Sequence, residues 1–198
     1  MNLFEINQDD IESIFNMASQ TVLINDAERQ AIVTTSPLTE NEERFIHTLE
    51  GVHMGDLVTL DDEKYLSLTE SITKRHSKYK AKIRHCNYVI EFPGEVIEDF
   101  MRDENGNIVY DRLGDPITIT IVGDPIFIPA IVENKTFSIT GSQLLVAENQ
   151  IIVIAQDNEV NRGKFTVNNT FSLMDLNWKV RNQDRTKKGL LILTCERV

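Results

Sequence analysis

The stretch "TKRHSKYKAKIRHC", residues 73–86, gathers the side chains of this sequence that are best suited to chemistry. His76, His85 and Cys86 could ligate a metal ion, but neighbouring strand residues such as 85 and 86 point to opposite faces. Zinc is usually held by four ligands at compact spacings, and no CxxC, HxH or HExxH motif is present. The sequence therefore predicts neither a metal site nor a cofactor.

The same stretch concentrates basic side chains in a chain that is acidic as a whole. In "KYKAKIRHC" the alternation is nearly strict, so Tyr79, Ala81 and Ile83 share one face of a strand and the basic side chains share the other. This basic face is predicted to be the solvent face of a half-buried strand, and it could meet acidic protein or a phosphate backbone. We call it, together with the hairpin tip before it, the basic stripe: Lys74, Arg75, Lys78, Lys80, Lys82 and Arg84.

The apolar alternation changes parity after this strand, where Cys86, Tyr88, Ile90 and Phe92 continue the row. A change of parity inside one extended run is what a β-bulge produces, because one strand gains a residue relative to its partner. We therefore predict a bulge near His85.

Nucleophilic and acid–base catalysis have no motif in this sequence. There is no GxSxG elbow, and Cys86 and Cys195 both lie in strand-like runs that predict reduced, buried thiols. The acid-rich runs "QDD", "TENEE" and "LDDE" cannot be told from solvated caps and turns, and the nine glycines do not cluster into a phosphate-binding loop. "DENGN" lacks the later ligands of a calcium loop and predicts a polar hairpin turn. We expect the chain not to be an enzyme.

Length and charge limit the remaining classes. A chain of 198 residues suits one large or two small domains, and its net charge of −11 argues against coating nucleic acid or anionic lipid with the whole surface. The N-terminus "MNLFEINQDDIESIF" has neither a basic region nor a long apolar core, and no run approaches the roughly 18 apolar residues of a membrane span. These features predict a chain that begins in a cytosol.

Strands should position most of these residues. One helix is predicted near the start, capped by Asp9 with Glu12 three residues later; its apolar positions are Ile11, Ile14, Phe15 and Ala18. "LTENEERFIHTLEG" is ambiguous between a helix and a covering loop. "GDLVTL" and "KYLSLTESI" across "DDE" predict a hairpin, as does Asn105-Gly106. "GDPI" occurs twice and brackets a short strand, "TITIV", while "NEVNRG" separates two later strands.

The predicted fold class is mainly β, with one short N-terminal helix followed by two small β-barrel or β-sandwich-like modules. "LVTLDDEKYLSLTESITKRHSKYKAKIRHC" and "FSLMDLNWKVRNQDRTKKGLLILTC" share an order of parts, which reflects either duplication of a module or a shared hairpin pattern. The predicted division is an arm and helix (1–20), a first β module (21–93) and a second β module (94–198), although one composite domain is an alternative.

The segment "GDLVTLDDEKYLSLTESITKRHSKYKAKIRHCNYVIEF" resembles neck proteins, the head–tail connector or head-closure proteins of tailed phages that infect Gram-positive bacteria. In that family a Gly-Asp strand leads to a strand around "KYL" and then to text similar to "YKAKIRHCNYVIEF". The similarity continues through "DENGNIVYDRLGDP", "NKTFSI" and "NWKVRNQDRTKKGLLILTCE". It spans Gly55 to the C-terminus and is most specific in the Cys-Asn-Tyr stretch.

The resemblance implies a structural virion protein with no catalytic residues to carry over. Such proteins are made in the bacterial host cytoplasm and assemble as a ring in the neck, beneath the portal. There they help retain packaged DNA and provide the platform on which the tail docks. The implied partners are copies of the chain itself, the portal or an adaptor protein, and tail proteins, with non-specific contact to packaged DNA and no membrane.

Neighbouring subunits of a ring make head-to-tail contacts, so a basic stripe could complement an acidic patch on the next subunit. The predicted interface residues are the basic stripe, Lys187 and Lys188 in the turn "RTKKG", and Leu3, Phe4 and Ile6 in a possible docking arm. If the stripe is a subunit contact, reversing Lys80 and Lys82 to Glu should leave folding intact and abolish assembly.

The alternative function is an intracellular β-domain that binds single-stranded nucleic acid through the same stripe. It predicts an affinity that falls steeply with salt. Tyr79 is placed opposite the lysines, which favours a core position for this ring over base stacking.

Overall fold

The computed structural model describes residues 8–37, 41–74, 78–134, 138–140, 143–145 and 149–198. Strands account for 57% of the structure, which confirms the prediction of a mainly β chain with barrel-like modules. The helices are α1 (Gln8–Ala18) and α2 (Glu159–Lys164). The strands are β1 (Gln20–Ile24), β2 (Ala27–Thr35), β3 (Glu43–Thr48), β4 (Leu57–Leu60), β5 (Glu63–Ser67), β6 (Ile72–Lys74), β7 (Lys78–His85), β8 (Tyr88–Phe92), β9 (Val96–Phe100), β10 (Thr118–Val122), β11 (Ile126–Asn134), β12 (Ser138–Thr140), β13 (Gln143–Leu145), β14 (Gln150–Gln156), β15 (Thr170–Leu173), β16 (Leu176–Asp184) and β17 (Leu190–Arg197).

The first module is a closed barrel of six antiparallel strands in the order β1-β2-β3-β7-β5-β4, with β4 pairing back to β1. Closure depends on β7, which pairs with β3 along one edge and with β5 along the other. The short strand β6 pairs with the start of β7. β7 therefore has no free edge, and its two pairings close the barrel wall.

Two-residue turns fix the register of three hairpins, including the hairpin predicted across "DDE", which is confirmed by the pairing of β4 with β5. Both central residues of each turn have positive φ, as type I′ turns require, and asparagine and aspartate tolerate this conformation well. The turns are Asn25–Asp26, Asp61–Asp62 and Met174–Asp175.

The barrel interior is filled by side chains that alternate along its strands. Ala81 and Ile83 of β7 point inward and are buried, as their alternation predicts. The rest of this core comprises Val22, Ile24, Ala31, Ile46, Val52, Val58, Leu60 and Tyr65. The Tyr65 hydroxyl donates a hydrogen bond of 2.7 Å to Glu42 Oε1. Burial and this hydrogen bond raise the pKa of Tyr65 to about 12.

The second module is a six-stranded sheet, nearly closed into a barrel, in the order β15-β16-β17-β14-β11-β8. A bulge lies in β16 between Val180 and Asn182. The bulge predicted near His85 is wrong, because β7 ends at that residue and β8 begins at Tyr88 in the other sheet. The apolar parity changes there because the chain passes from one sheet to the next.

A second apolar cluster joins the barrel to this sheet. It is built on Leu66, Cys86, Ile131 and Leu190, which come from both modules and are all buried. As a result β5 is buried on both faces: Tyr65 points into the barrel and Leu66 into this junction. The two modules therefore share a core that neither could complete alone.

The predicted N-terminal helix is present as α1, but its details differ from the prediction. Asp9 is the second residue of the helix, so it is not the N-cap. Of the predicted apolar positions, Phe15 is buried at 1% exposure, whereas Ile14 is 65% exposed. The Phe15 ring anchors the end of α1 against the barrel, while Ile14 and Ala18, two other predicted apolar positions, are exposed.

Two elements differ from the sequence prediction: the strand β3, whose segment was ambiguous, and the helix α2, which was not predicted. "LTENEERFIHTLEG" contains the strand β3, and only Ile46 and Thr48 of that strand are buried, so its alternation is too weak to recognise. "NEVNRG" belongs to α2, where the Asn158 side chain accepts a hydrogen bond from the Asn161 N–H. That N-cap, with Glu159 in the first turn, is a readable helix signal.

Residues 91–128 form a compact unit of their own, which we call the acidic insert. The strands β9 and β10 pair as a two-stranded ribbon in this unit. Three backbone hydrogen bonds close a ring beside it: the N–H of Met101 donates to Ile117, that of Ile117 to Val109 and that of Val109 to Met101, at 2.8–3.0 Å. These three residues are spaced eight positions apart along the chain, and one turn lies between the first and second and another between the second and third.

Candidate interaction surfaces

The basic stripe does not form a uniform solvent face. Lys78, Lys80 and Lys82 are half-buried on the barrel wall. Arg84 is buried at 9% exposure, so the prediction that it faces solvent is wrong. Its guanidinium is taken up by Glu133 of β11, a contact from the other module that the spacing along β7 could not reveal.

Two charges of the stripe, those of Lys82 and Arg84, are matched by carboxylates within the chain. Lys82 Nζ lies 2.7 Å from Glu43 Oε2, and Arg84 Nη1 lies 2.5 Å from Glu133 Oε1. The ammonium of Lys80 lies 3.8 Å from the centre of the Phe45 ring, a cation–π contact. Two of the four basic side chains of β7 therefore already have a carboxylate partner within the chain.

The remaining predicted interface residues fall into three groups. Arg75, Leu3, Phe4 and Ile6 lie outside the described residues, as does His76 of the discarded metal site. Lys74 ends β6, where its backbone pairs with Lys78 of β7. Lys187 and Lys188 lie in an exposed turn between β16 and β17.

Replacing Lys82 with glutamate should destabilise the fold, because the new carboxylate would face Glu43, whose side chain is only 15% exposed. We expect the free energy of unfolding to fall by about 1–3 kcal/mol in urea denaturation. The charge-swapped pair Lys82→Glu with Glu43→Lys should recover most of this loss. Wild-type stability of the single variant would contradict the pairing, and the structure thus revises the expectation that reversing Lys82 leaves folding intact.

The turn of residues 185–188, called the basic turn below, is held in a defined position. The Asp157 carboxylate binds Arg162 of α2 at 2.5 Å and Arg185 of the turn at 3.4 Å. The hydrogen bond from Arg162 holds the pKa of Asp157 below its usual range. The backbone N–H of Thr186 donates to Asp184 Oδ1 at 2.8 Å, which lowers the pKa of that carboxyl as well. The lysines that follow are therefore presented by an ordered loop.

The acidic insert exposes large apolar side chains, a feature that the sequence does not predict. Along β9 and β10 every residue except the half-buried Asp99 is exposed. Each strand alone looks like an ordinary short β segment, so the sequence carries no local signal that these side chains stay exposed. The exposed large side chains of the insert are Val96, Ile97, Phe100, Met101, Tyr110, Leu113, Ile119, Ile121, Val122 and Phe127.

The insert also carries two loops of similar construction. Asp103 Oδ1 accepts hydrogen bonds from the backbone N–H groups of Asn105 and Asn107, and Asp111 Oδ1 accepts those of Leu113 and Asp115. These backbone donors lower the pKa of both aspartates. "DENGN" is thus a hairpin turn, as predicted, and the spacing of Asp-x-x-Gly at intervals of eight was the signal for its repetition.

Two family models match the chain. The model of the YomX N-terminal domain matches residues 2–85, and that of the YomX C-terminal domain matches residues 88–196. The chain belongs to the YomX family. This family is phage-derived, so the YomX-family chain is a phage-associated protein. No match was found among curated proteins or among solved structures.

The two YomX domain models divide at a structural boundary. They meet around Cys86 and Asn87, between the last strand of the barrel and the first strand of the second sheet. The C-terminal YomX domain therefore includes both the acidic insert and the basic turn.

The described part of this YomX-family chain holds few groups suited to metal binding or acid–base chemistry. No group of three or more His, Cys, Asp or Glu side chains is placed to hold a metal ion in the part of the chain that the structure describes. His85 Nε2 lies 2.8 Å from Glu63 Oε2. Neither helix of the described ranges is long and apolar enough to cross a membrane.

Both thiols should be unreactive in the folded protein. Cys86 and Cys195 are buried, and burial raises the pKa of each to about 12. We expect Ellman's reagent at about pH 8 to label neither thiol in the native chain and both in urea. Since the unfolded thiols ionise near pH 8.5, stability should be full below that pH and fall as the pH rises towards 12. Rapid labelling of the native chain would contradict the burial.

Proposed function

We propose that this chain is a structural virion protein that forms a ring in the phage neck and joins the DNA-filled head to the tail. The observation that carries the proposal is the acidic insert, because its β9–β10 ribbon exposes apolar side chains that call for a partner. The phage-derived YomX family and the resemblance of residues 55–198 to neck proteins support the same assignment. The proposed partners are further copies of the chain, the portal or an adaptor, tail proteins and packaged DNA.

The structure favours assembly over binding of single-stranded nucleic acid. A phosphate backbone would have to compete with Glu43 for Lys82 and with Glu133 for Arg84. Such binding also requires net positive charge along a groove, and two of the four basic side chains of β7 are already paired with carboxylates within the chain. Catalysis by the two cysteines is disfavoured because their raised pKa keeps them protonated at neutral pH.

The test is quantitative mass spectrometry of purified, DNA-filled particles from the source strain. Peptides of the portal and of the major capsid protein in the same digest provide internal standards for low and high copy number. We expect peptides of this chain at a copy number comparable with the portal. Their absence from intact particles would overturn the proposal, as would a copy number close to that of the capsid protein.

A further inference from the structure

The register of the β9–β10 ribbon sorts its exposed side chains into two faces. Ile97 lies opposite Ile121, and Asp99 lies opposite Ile119. Directly paired residues of antiparallel strands point to the same side, so these four residues share what we call the isoleucine face. The three isoleucines are between 39% and 56% exposed. They form a continuous apolar strip with one carboxylate at its end.

The opposite face of the ribbon is less suited to docking. Val96 pairs with Val122 at one end and Phe100 with Thr118 at the other, but the central pair is Glu98 with Thr120, which interrupts the apolar side chains. Burying a glutamate without a partner costs free energy, whereas removing an isoleucine side chain from water is favourable. The isoleucine face is therefore the stronger candidate. A two-stranded ribbon is marginally stable alone in water, so covering this face would also stabilise the insert.

The distribution of charge along the chain indicates which surface can cover the isoleucine face. The acidic insert has nine acidic and two basic side chains, a net charge of −7, so two inserts facing each other would repel. Residues 159–198 have eight basic and four acidic side chains, a net charge of +4. Within this region the basic turn is exposed, and Lys187 and Lys188 form no salt bridge with any residue that the structure describes. A second copy of the chain thus offers the complementary surface.

We propose that the isoleucine face of one copy docks on the second module of another copy, with Asp99 directed to the basic turn at Lys187 and Lys188. The contact joins two different surfaces, so each copy keeps one surface of each kind for a further neighbour. Such head-to-tail contacts close into a ring or continue as a filament. This inference rests on the proposed ring and names its subunit contact.

The first experiment is sedimentation equilibrium of the full chain over a range of concentrations, at low and high salt. The variant Ile97→Thr with Ile121→Thr keeps β-branched side chains and should weaken self-association by about tenfold or more. The matched control is Val96→Thr with Val122→Thr, a directly paired couple on the opposite face, which should associate like the wild type. Equal weakening by both variants, or by neither, would overturn the assignment of the face.

A charge exchange tests the basic turn without touching the apolar residues. Asp99→Lys alone and Lys187→Glu with Lys188→Glu alone should each weaken association, and an equimolar mixture of the two variants should associate more tightly than either. Failure of the mixture to recover would overturn the role of the basic turn.

The tests of the self-docking contact and of the proposed neck function can fail independently. A wild-type chain that stays monomeric at every concentration and salt tested would overturn the self-docking inference, while particle mass spectrometry would still decide the neck assignment. Self-association through the isoleucine face, together with absence from particles, would support the contact and overturn the proposed function.

Discussion

Replacing Gly189 with alanine should cause a large loss of stability, although it adds only one methyl group. Gly189 and Gly55 have φ of 90° and 89°, a conformation that other residues adopt only with strain. A Cβ on Gly189 would overlap the carbonyl oxygen of Met54, and one on Gly55 would overlap that of Gly189. Since both obstacles are backbone atoms, relief requires the barrel and the second sheet to separate at this point.

We expect Gly189→Ala to lower the free energy of unfolding by about 4 kcal/mol or more, measured by urea denaturation. Gly163→Ala is the control, because a Cβ at Gly163 meets nothing within 4 Å and this residue lies in α2 without positive φ. Alanine there should be neutral or stabilising by up to about 1 kcal/mol. Equal stability of the two variants would show that the two backbones are not in contact at Gly55 and Gly189.

This close approach shows which part of the fold could be predicted from sequence. The hairpins could, because their signals are local: Asp61 and Asp62 between two alternating runs are enough to predict β4, β5 and a tight turn. Gly189 also lies in a predicted turn. Its second role, to admit the backbone of Met54 and Gly55, depends on a residue more than a hundred positions away, and no local pattern records it.

The same limit explains what was wrong about the basic stripe. Alternation along β7 correctly separates Ala81 and Ile83, which are buried, from the basic side chains. It cannot show that Glu133 of the other module reaches Arg84, or that Glu43 of β3 reaches Lys82. The sequence predicts that a strand face is exposed to solvent when no covering element is known. That prediction is wrong at Arg84, because the second module contacts this face.

The acidic insert was missed for a different reason. Its strands, its Asp-x-x-Gly turns and its acidic side chains are each visible in the sequence, and none of them is unusual alone. What matters is that β9 and β10 pair only with each other among the described strands and that the side chains on both faces of the ribbon are largely exposed. Sheet order is a tertiary property, so the predicted interface was placed on the basic stripe and not on the insert.

The second large effect is expected at the ion pair between Arg84 and Glu133. The arginine is 9% exposed as a residue, while the glutamate side chain is 36% exposed, so the two charges lose different amounts of hydration. Glu133→Ala would leave the guanidinium buried without its carboxylate, and we expect a loss of about 3 kcal/mol in urea denaturation. Arg84→Met should cost less, because Glu133 can still be hydrated and methionine fills the space of the arginine stem.

Arg181 and Glu196 provide the matched control. Their N–O distance is also 2.5 Å, but their side chains are 49% and 39% exposed. Glu196→Ala should therefore cost less than about 1 kcal/mol, since an exposed charge regains water when its partner is lost. If both glutamate variants lose the same stability, burial of Arg84 is not the deciding factor. If Glu133→Ala is costly and the double variant with Arg84→Met recovers part of the loss, the loss comes from the unpaired buried guanidinium. The ion pair then stabilises the contact between the barrel and the second sheet chiefly because it prevents an unpaired buried charge.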